Sequence, residues 1–448
     1  NRWRLKSTGN TGLLQTILSE VCSGVDGRVT VLKKIDVAHL RLGMYIHEFC
    51  GSWMEHPFWK AKFVLETQKD LLRVRESAVR EIWIDTSKGL DIEAGQASQS
   101  EEEVAAETEA RLLAAVVEPV KQPRASLDDE VERALKLCSR SREAVVAMFS
   151  DARMGRAIET EQAAALVEEI SDSVLRHPNA LISLARLKSA DEYTYMHSVA
   201  VCALMIALAR QLGLAEAQVR EAGLAGLLHD VGKMAIPDEI LNKPGKLTDS
   251  EFSIVRNHPE AGGQILRDSD NVSALVLDVC LHHHEKVDGS GYPHRLNGDQ
   301  ISLFAKMGAV CDVYDAITSD RPYKKGWDPA ESIRRMAEWS KGHFDEAVFQ
   351  AFVKSVGIYP TGSLVRLESG RIGVVTEQHE KSLLTPRVKV FFSAKSKAPI
   401  PIEVLDLSKL VGREKIVARE SQEDWGFRNV EELWSGLPAG RNGFSGPA

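Results

Sequence analysis

The chain of 448 residues lacks any stretch able to cross a bilayer. Its longest uninterrupted apolar run, Val199 to Ala209, has 11 residues, against the roughly 20 that a spanning helix needs. It also lacks a basic excess: 56 Lys and Arg against 64 Asp and Glu leave a net charge of −8. That balance excludes bulk attraction to nucleic acid. No basic-then-apolar leader opens the sequence. The six cysteines, Cys22, Cys50, Cys138, Cys202, Cys280 and Cys311, show no Cys-x-x-Cys spacing. Buried thiols in a reducing compartment, and therefore the cytoplasm, are the expectation. With 44% hydrophobic and 27% charged residues, the chain has an ordinary globular composition and a length that predicts about three domains.

Residues 1–30 show no strong periodicity and read as a flexible leader. From 31 to 87, Met44-Tyr45-Ile46, Phe63-Val64-Leu65 and Ile82-Trp83-Ile84 read as strands and Asp70 to Arg80 as a short helix, together a small α+β module. Between Lys88 and Glu132 there are 12 acidic residues against 4 basic, with Pro119 and Pro123. Residues 88–126 therefore read as an acidic linker, partly helical around Glu101 to Val117. Residues 127–360 read as helices with short connections. Leu127, Val131, Leu135 and Cys138 form one apolar stripe, and Thr248 with Glu251 forms a capping box. Past Pro360 the period becomes two. Leu364 to Leu367 and Ile372 to Val375 form a hairpin, Arg387 to Phe392 a candidate third strand, and residues 361–411 a short β extension. Residues 412–448 read as a loosely ordered tail.

Histidine breaks this pattern, since seven of the 13 lie between His197 and His294. His197 opens an apolar helix, where a single imidazole suits a packed or capping role as well as a ligand. His229-Asp230-Val231-Gly232-Lys233 follows another apolar run. It fits either a helix stop, with Gly232 as terminator and Lys233 on the helix dipole, or an imidazole and a carboxylate presented to one point. Three successive imidazoles, His282-His283-His284, are costly to bury without partners. Beside them Gly289, Gly291 and Pro293 make a stiff loop that carries Tyr292, with His294 beyond it. In Asp312-Val313-Tyr314-Asp315, one carboxylate reads as a ligand and the other as orienting a neighbour. Arg321, Lys324 and Lys325 form a cationic cluster suited to phosphate, or a solvated basic turn. Jointly, more than four N and O ligands without thiolate indicate a multinuclear hydrolytic site rather than structural zinc.

His229-Asp230 with Gly232-Lys233, His283-His284-Glu285 and Gly291-Tyr292-Pro293 resemble the signature of the HD-GYP phosphodiesterases, a branch of the HD phosphohydrolases. The resemblance covers roughly 180–360, and the 32–84 module is similar to the small domain of unassigned function that often precedes HD-GYP domains. It implies a mainly α fold: an all-helical HD core after a small α+β module and before a short β-hairpin-containing extension. It further implies hydrolysis of cyclic di-GMP to linear pGpG, with a further step to GMP left open. The alternatives are a catalytically weak cyclic di-GMP sensor and a hydrolase of another cyclic dinucleotide. The implied metal ligands are His197, His229, Asp230, His258, His283, His284 and Asp312. Asp230 would bridge two divalent ions, Fe or Mn first and then Ni or Zn. Lys233 would contact the scissile phosphate, with Tyr292, Arg321 and Lys324 holding the nucleotide. His282 has no counterpart and reads as a residue that supports the ligands from behind or as packing. Members with a third metal carry a Glu four residues before the first His. Tyr193 stands there in this chain, so two metals are expected. Signalling partners such as GGDEF-domain proteins, and a dimer, are compatible with the family.

Overall fold

The computed structural model describes residues 31–51, 58, 62–93, 95–115, 127–187, 193–243, 245, 247–320, 325–379 and 382–437. The expected leader, Arg321, Lys324 and the side chain of Tyr193 lie outside the described residues. The chain forms two units that divide at Glu101–Glu102.

In the first unit, β1 (Leu32–Asp36), β2 (Tyr45–Phe49), β3 (Phe63–Val64), β4 (Glu81–Asp85) and β5 (Gln99–Ser100) form an antiparallel sheet in the order β3-β2-β4-β1-β5. The three predicted strands fall on β2, β3 and β4. One helix, α1 (Gln68–Arg75), is capped by Thr67, whose hydroxyl accepts from the Asp70 amide at 3.1 Å. Leu71 and Val74, three residues apart, turn one face of it into a core with Ile35, Met44, Ile46 and Ile82. The helix stops at Arg75, short of the expected Arg80.

The second unit is mainly helical. It comprises α2 (Glu101–Ala114, all but its first residue), α3 (Leu127–Arg153), α4 (Thr160–Arg176), α5 (Pro178–Ala185), α6 (Tyr193–Gln211), α7 (Glu216–Leu228), α8 (Asp238–Leu241), α9 (Asp249–Val255), α10 (His258–Arg267), α11 (Ala274–His282), α12 (Leu303–Thr318), α13 (Pro329–His343) and α14 (Glu346–Val356). Inside the stretch read as linker, α2 is a packed helix. Val104 and Leu112 are buried, and the Arg111 guanidinium donates to the Ala337 carbonyl at 3.2 Å and to Ser340 Oγ at 2.7 Å. Helix α6 is buried all round from Met196 to Ala209. It is thus a central helix, which explains why its apolar run shows no polar face. The capping box at α9 is present: the Glu251 amide donates to Thr248 Oγ1, and the Thr248 amide donates to Glu251 Oε2.

The C-terminal sheet is larger than the predicted hairpin. β6 (Leu364–Leu367), β7 (Arg371–His379), β8 (Ser382–Ser393), β9 (Ala398–Asp406) and β10 (Ile416–Arg419) pair in the order β10-β6-β7-β8-β9. The expected loose tail is also corrected as far as residue 437. It supplies β10, α15 (Gln422–Trp425) and α16 (Val430–Ser435). It is anchored by an Arg366–Glu420 ion pair at 2.7 Å, by the buried Trp434, and by Phe427 against Phe392 at 5.0 Å. A polar, glycine-bearing composition did not reveal these scattered anchors. Asp328 ties sheet to helices: one oxygen accepts from the Ala330 and Glu331 amides at the start of α13, the other from the Leu364 amide at 3.0 Å. Asp328→Ala removes the cap and leaves these donors without an acceptor. A loss of about 1–2 kcal/mol is expected as a lower denaturant midpoint, with Asp328→Asn recovering part of it.

Candidate metal centre

Five helices deliver the site, and most of its groups sit at helix ends. His197 lies in the first turns of α6. His229 and Asp230 follow the last residue of α7, His258 opens α10, His283 and His284 follow α11, and Asp312 lies within α12. All are buried except His284, which is half-buried. Two glycines allow the close approaches. A Cβ on Gly232 would stand 1.9 Å from the His258 carbonyl oxygen, so the 3-10 turn Val231–Ala235 lies directly against the start of α10. The φ of Gly232 is not in the left-handed region. It serves this contact rather than a left-handed helix stop. A Cβ on Gly291 would meet the Lys286 amide at 2.4 Å, which folds the Tyr292 loop back onto the end of the histidine run.

The seven residues expected as ligands converge. His197, His229 and Asp312 present ligand atoms within 4.8 Å of one another, as do His229, Asp230 and His283, and again His258, His283 and His284. Asp230 lies between the groups. Its Oδ2 is 3.3 Å from Nε2 of both His197 and His229, and its Oδ1 is 3.2 Å from His258 Nε2 and 3.9 Å from His283 Nε2. His197 Nε2 is 3.0 Å from Asp312 Oδ1, and His284 Nδ1 is 3.7 Å from Asp312 Oδ2.

Proton placement follows from the outer contacts. His229 Nδ1 faces the Gly226 carbonyl at 2.8 Å, His258 Nδ1 the Val255 carbonyl at 2.8 Å, and His283 Nδ1 the Val279 and Cys280 carbonyls at 3.1 and 3.0 Å. A carbonyl only accepts, so each Nδ1 carries a proton and Nε2 is the nitrogen each ring turns inward. These nitrogens meet one another, with His258 Nε2 and His283 Nε2 3.3 Å apart, and they meet carboxylate oxygens. His229 Nε2, Asp230 Oδ1 and Asp312 Oδ2 are buried and make no hydrogen bond. Buried acceptors gathered around one point suit a cation. The residues present therefore fit a metal centre.

Electrostatics agree. Burial, with His229 and His258 nearby, pushes His283 down to about 3 and so keeps it neutral, and His284 is likewise held low by burial and His283. Burial alone would raise Asp230 and Asp312. Lys233 and the histidines around Asp230, and His197 and His284 around Asp312, outweigh it and hold both carboxyls well below their usual range. At His197 burial is opposed by hydrogen bonds to Asp230, Asp312 and Asp315, which carry it up to about 9. That corner of the site attracts positive charge.

Of the aspartate pair, Asp315 is the orienting member: its Oδ2 lies 2.6 Å from His197 Nδ1. Lys233 reaches the Asp230 carboxylate. Tyr292 stacks on His284, ring centroids 4.6 Å apart and 24° from parallel. His282 faces away from the cluster, between Asp278 at 2.7 Å and His294 Nδ1 at 3.0 Å. Sequence reasoning missed two further groups. Glu285 accepts from the His294 and Leu296 amides at 2.7 and 3.0 Å and so pins the Tyr292 loop. Arg256 places its guanidinium carbon 4.4 Å from the Tyr292 ring centroid. Glu285 lay inside a quoted motif, whereas an arginine at a helix end carries no distinguishing signal. Asp315→Ala frees the His197 ring, and a drop of about 10–100-fold in metal affinity is expected in a chelator-competition titration.

Residues 129–348 match the HD domain family, and residues 32–163 match a domain of unknown function, DUF3391. The latter match extends beyond the 31–87 module into α3 and α4. The chain is 64% identical over 414 residues to the cyclic di-GMP phosphodiesterase PA4108 of Pseudomonas aeruginosa, covering 91% of this chain and 96% of that one. It is 44% identical over 155 residues to the cyclic di-GMP phosphodiesterase response regulator RpfG of Xanthomonas campestris pv. campestris, 32% of this chain and 40% of that one. It is 42% identical over 149 residues to the 3′3′-cGAMP-specific phosphodiesterase 2 of Vibrio cholerae, 33% of this chain and 28% of that one. HD-type helical core, histidine–aspartate centre and near full-length identity agree: the chain belongs to the HD-domain cyclic di-GMP phosphodiesterases, the HD-GYP family.

Proposed function

We propose that the chain hydrolyses cyclic di-GMP to linear pGpG with two divalent metal ions, Fe or Mn before Ni or Zn. The observation that carries this reading is Asp230, whose two oxygens each face a different group of histidines. One ion would be held by His197, His229 and Asp312, the other by His258, His283 and His284, with Asp230 shared. Bound divalent ions of this kind activate water and stabilise charge on the attacking and leaving oxygens of an in-line phosphoryl displacement.

The chain's own residues supply the rest. Asp315 holds the His197 tautomer. Lys233, half-buried and engaged by Asp230, sets an ammonium at the rim of the ligand set for the scissile phosphate. Tyr292, stacked on His284, offers its hydroxyl to the nucleotide. Arg321 and Lys324 are assigned to the same substrate on the family resemblance. Among the described residues no helix is long and apolar enough to cross a membrane. That accords with a cytoplasmic enzyme working alongside proteins that make the same nucleotide, such as GGDEF-domain proteins.

The match to a 3′3′-cGAMP-specific relative favours a second reading, the same chemistry on a mixed cyclic dinucleotide. One experiment separates these possibilities: anaerobic product chromatography with Mn²⁺ or Fe²⁺, offering cyclic di-GMP and 3′3′-cGAMP in parallel to the unchanged chain and to Asp230→Ala. The expected result is pGpG from cyclic di-GMP, lost on chelation and lost in the variant. Turnover of 3′3′-cGAMP alone moves the substrate to the second reading. Tight binding of cyclic di-GMP without turnover by the metal-loaded chain makes it a sensor, and retained turnover by Asp230→Ala removes Asp230 from the mechanism.

A further inference from the structure

Arg256 occupies the short junction between α9 and α10, two residues before His258. Its side chain turns toward the Gly291–Pro293 loop and lies over the ring of Tyr292, 4.4 Å from guanidinium carbon to ring centroid. Tyr292 in turn stacks on His284, so Arg256 stands one ring away from the ligand set. Arg256 is half-buried. Among the described residues its guanidinium makes no hydrogen bond and no ion pair, its contacts being the Tyr292 and Phe252 rings. The carboxylates near it in sequence are otherwise engaged: Glu251 by Lys243 at 2.7 Å, and Glu260 by His294 at 3.7 Å. Among the described residues Lys233, a second cation at the rim, is already held by Asp230.

An arginine resting on an aromatic ring keeps its N–H donors in the guanidinium plane, directed outward as a fork that matches two oxygens of a phosphate. A half-buried guanidinium with no acceptor at the rim of a phosphodiesterase site is therefore placed for an anion. A cyclic dinucleotide carries two phosphodiesters. When one lies at the ligand set beside Lys233, the other needs its own counter-cation.

We propose that Arg256 binds the second, uncleaved phosphate of the cyclic dinucleotide, with Tyr292 as the platform that fixes it. The proposal rests on the function proposed above. Its test is steady-state kinetics of cyclic di-GMP with the Mn²⁺-loaded full chain and equilibrium binding of cyclic di-GMP to the chelator-stripped full chain, comparing Arg256→Ala, Arg256→Lys, Tyr292→Ala and Arg256→Ala combined with Tyr292→Ala. Metal content and melting temperature are checked in each. Loss of a hydrogen-bonded charge on the substrate is expected to raise KM and the dissociation constant about 10–100-fold in Arg256→Ala, with kcat within about threefold. Arg256→Lys, which keeps the charge but not the fork, falls between. A smaller weakening persists when Tyr292 is already Ala, because the guanidinium then keeps its charge but loses the platform that fixes it. Unchanged KM and binding in an active chain overturn the proposal alone. So does a loss that vanishes in the Tyr292→Ala background, since Arg256 would then act only by bracing that ring. A metal-loaded chain that neither binds nor cleaves cyclic di-GMP overturns the function and this proposal together.

Discussion

The helical unit is organised around an arrangement that the chain by itself disfavours: buried acceptors facing one another. Inward-facing imidazole nitrogens from His229, His258 and His283 and carboxylate oxygens from Asp230 and Asp312 share one buried space. Each such group carries a desolvation cost that only an opposing positive charge offsets. Metal affinity and folding stability are therefore linked here, because whatever cation the ligands accept stabilises the folded chain over the unfolded one. The close contact of Gly232 with His258 serves this end, since it leaves the two ligand-bearing turns no room to drift apart.

The outer contacts reuse something helices have in surplus. The last four carbonyls of an α-helix lack intrahelical donors. Gly226 lies in the last turn of α7, Val255 ends α9, and Val279 and Cys280 lie in the last turn of α11. These are the carbonyls that receive the Nδ1 protons of His229, His258 and His283. Placing a histidine just beyond a helix end thus gives a last-turn carbonyl a side-chain donor, at Val279 in addition to the His283 amide at 3.0 Å, and fixes which nitrogen faces the site. His197 sits near the start of its helix, where no such carbonyl is at hand, and a carboxylate from α12 takes the part instead. That substitution explains why α12 carries two buried aspartates three residues apart rather than one.

The ligand-bearing motifs were legible because imidazole and carboxylate at helix ends and in apolar runs are chemically conspicuous. The division of labour between Asp312 and Asp315 was not, since both lie on the buried side of α12 and only the packing of α6 against it decides which oxygen meets Nδ1. The C-terminal sheet was read short for a different reason. β9 contains Pro399 and Pro401 and buries only Leu405. It therefore lacks the apolar–polar alternation that marks a strand, as befits an edge strand whose free side tolerates proline. The partners of β10 and of Trp434 lie dozens of residues away, beyond the reach of local pattern.

Tyr292 shows why a loop, and not a helix, borders the ligand set on this side. A helix would have to spend its own hydrogen bonds internally and could not bring a ring flat against His284 and, from the same segment, turn back on itself. The loop manages both because Glu285, directly after the last ligand histidine, uses both oxygens to hold the His294 and Leu296 amides, while Gly291 lets the backbone lie against Lys286. The ring is thereby referenced to the ligand run itself rather than to a distant element. Any group resting on that ring inherits a fixed position relative to the metal ligands. On the proposed function, two candidate ligands and the ring that borders them are thus carried by one short segment, His283 to Leu296. A change in the loop that left every candidate ligand in place would still move the Tyr292 ring against His284.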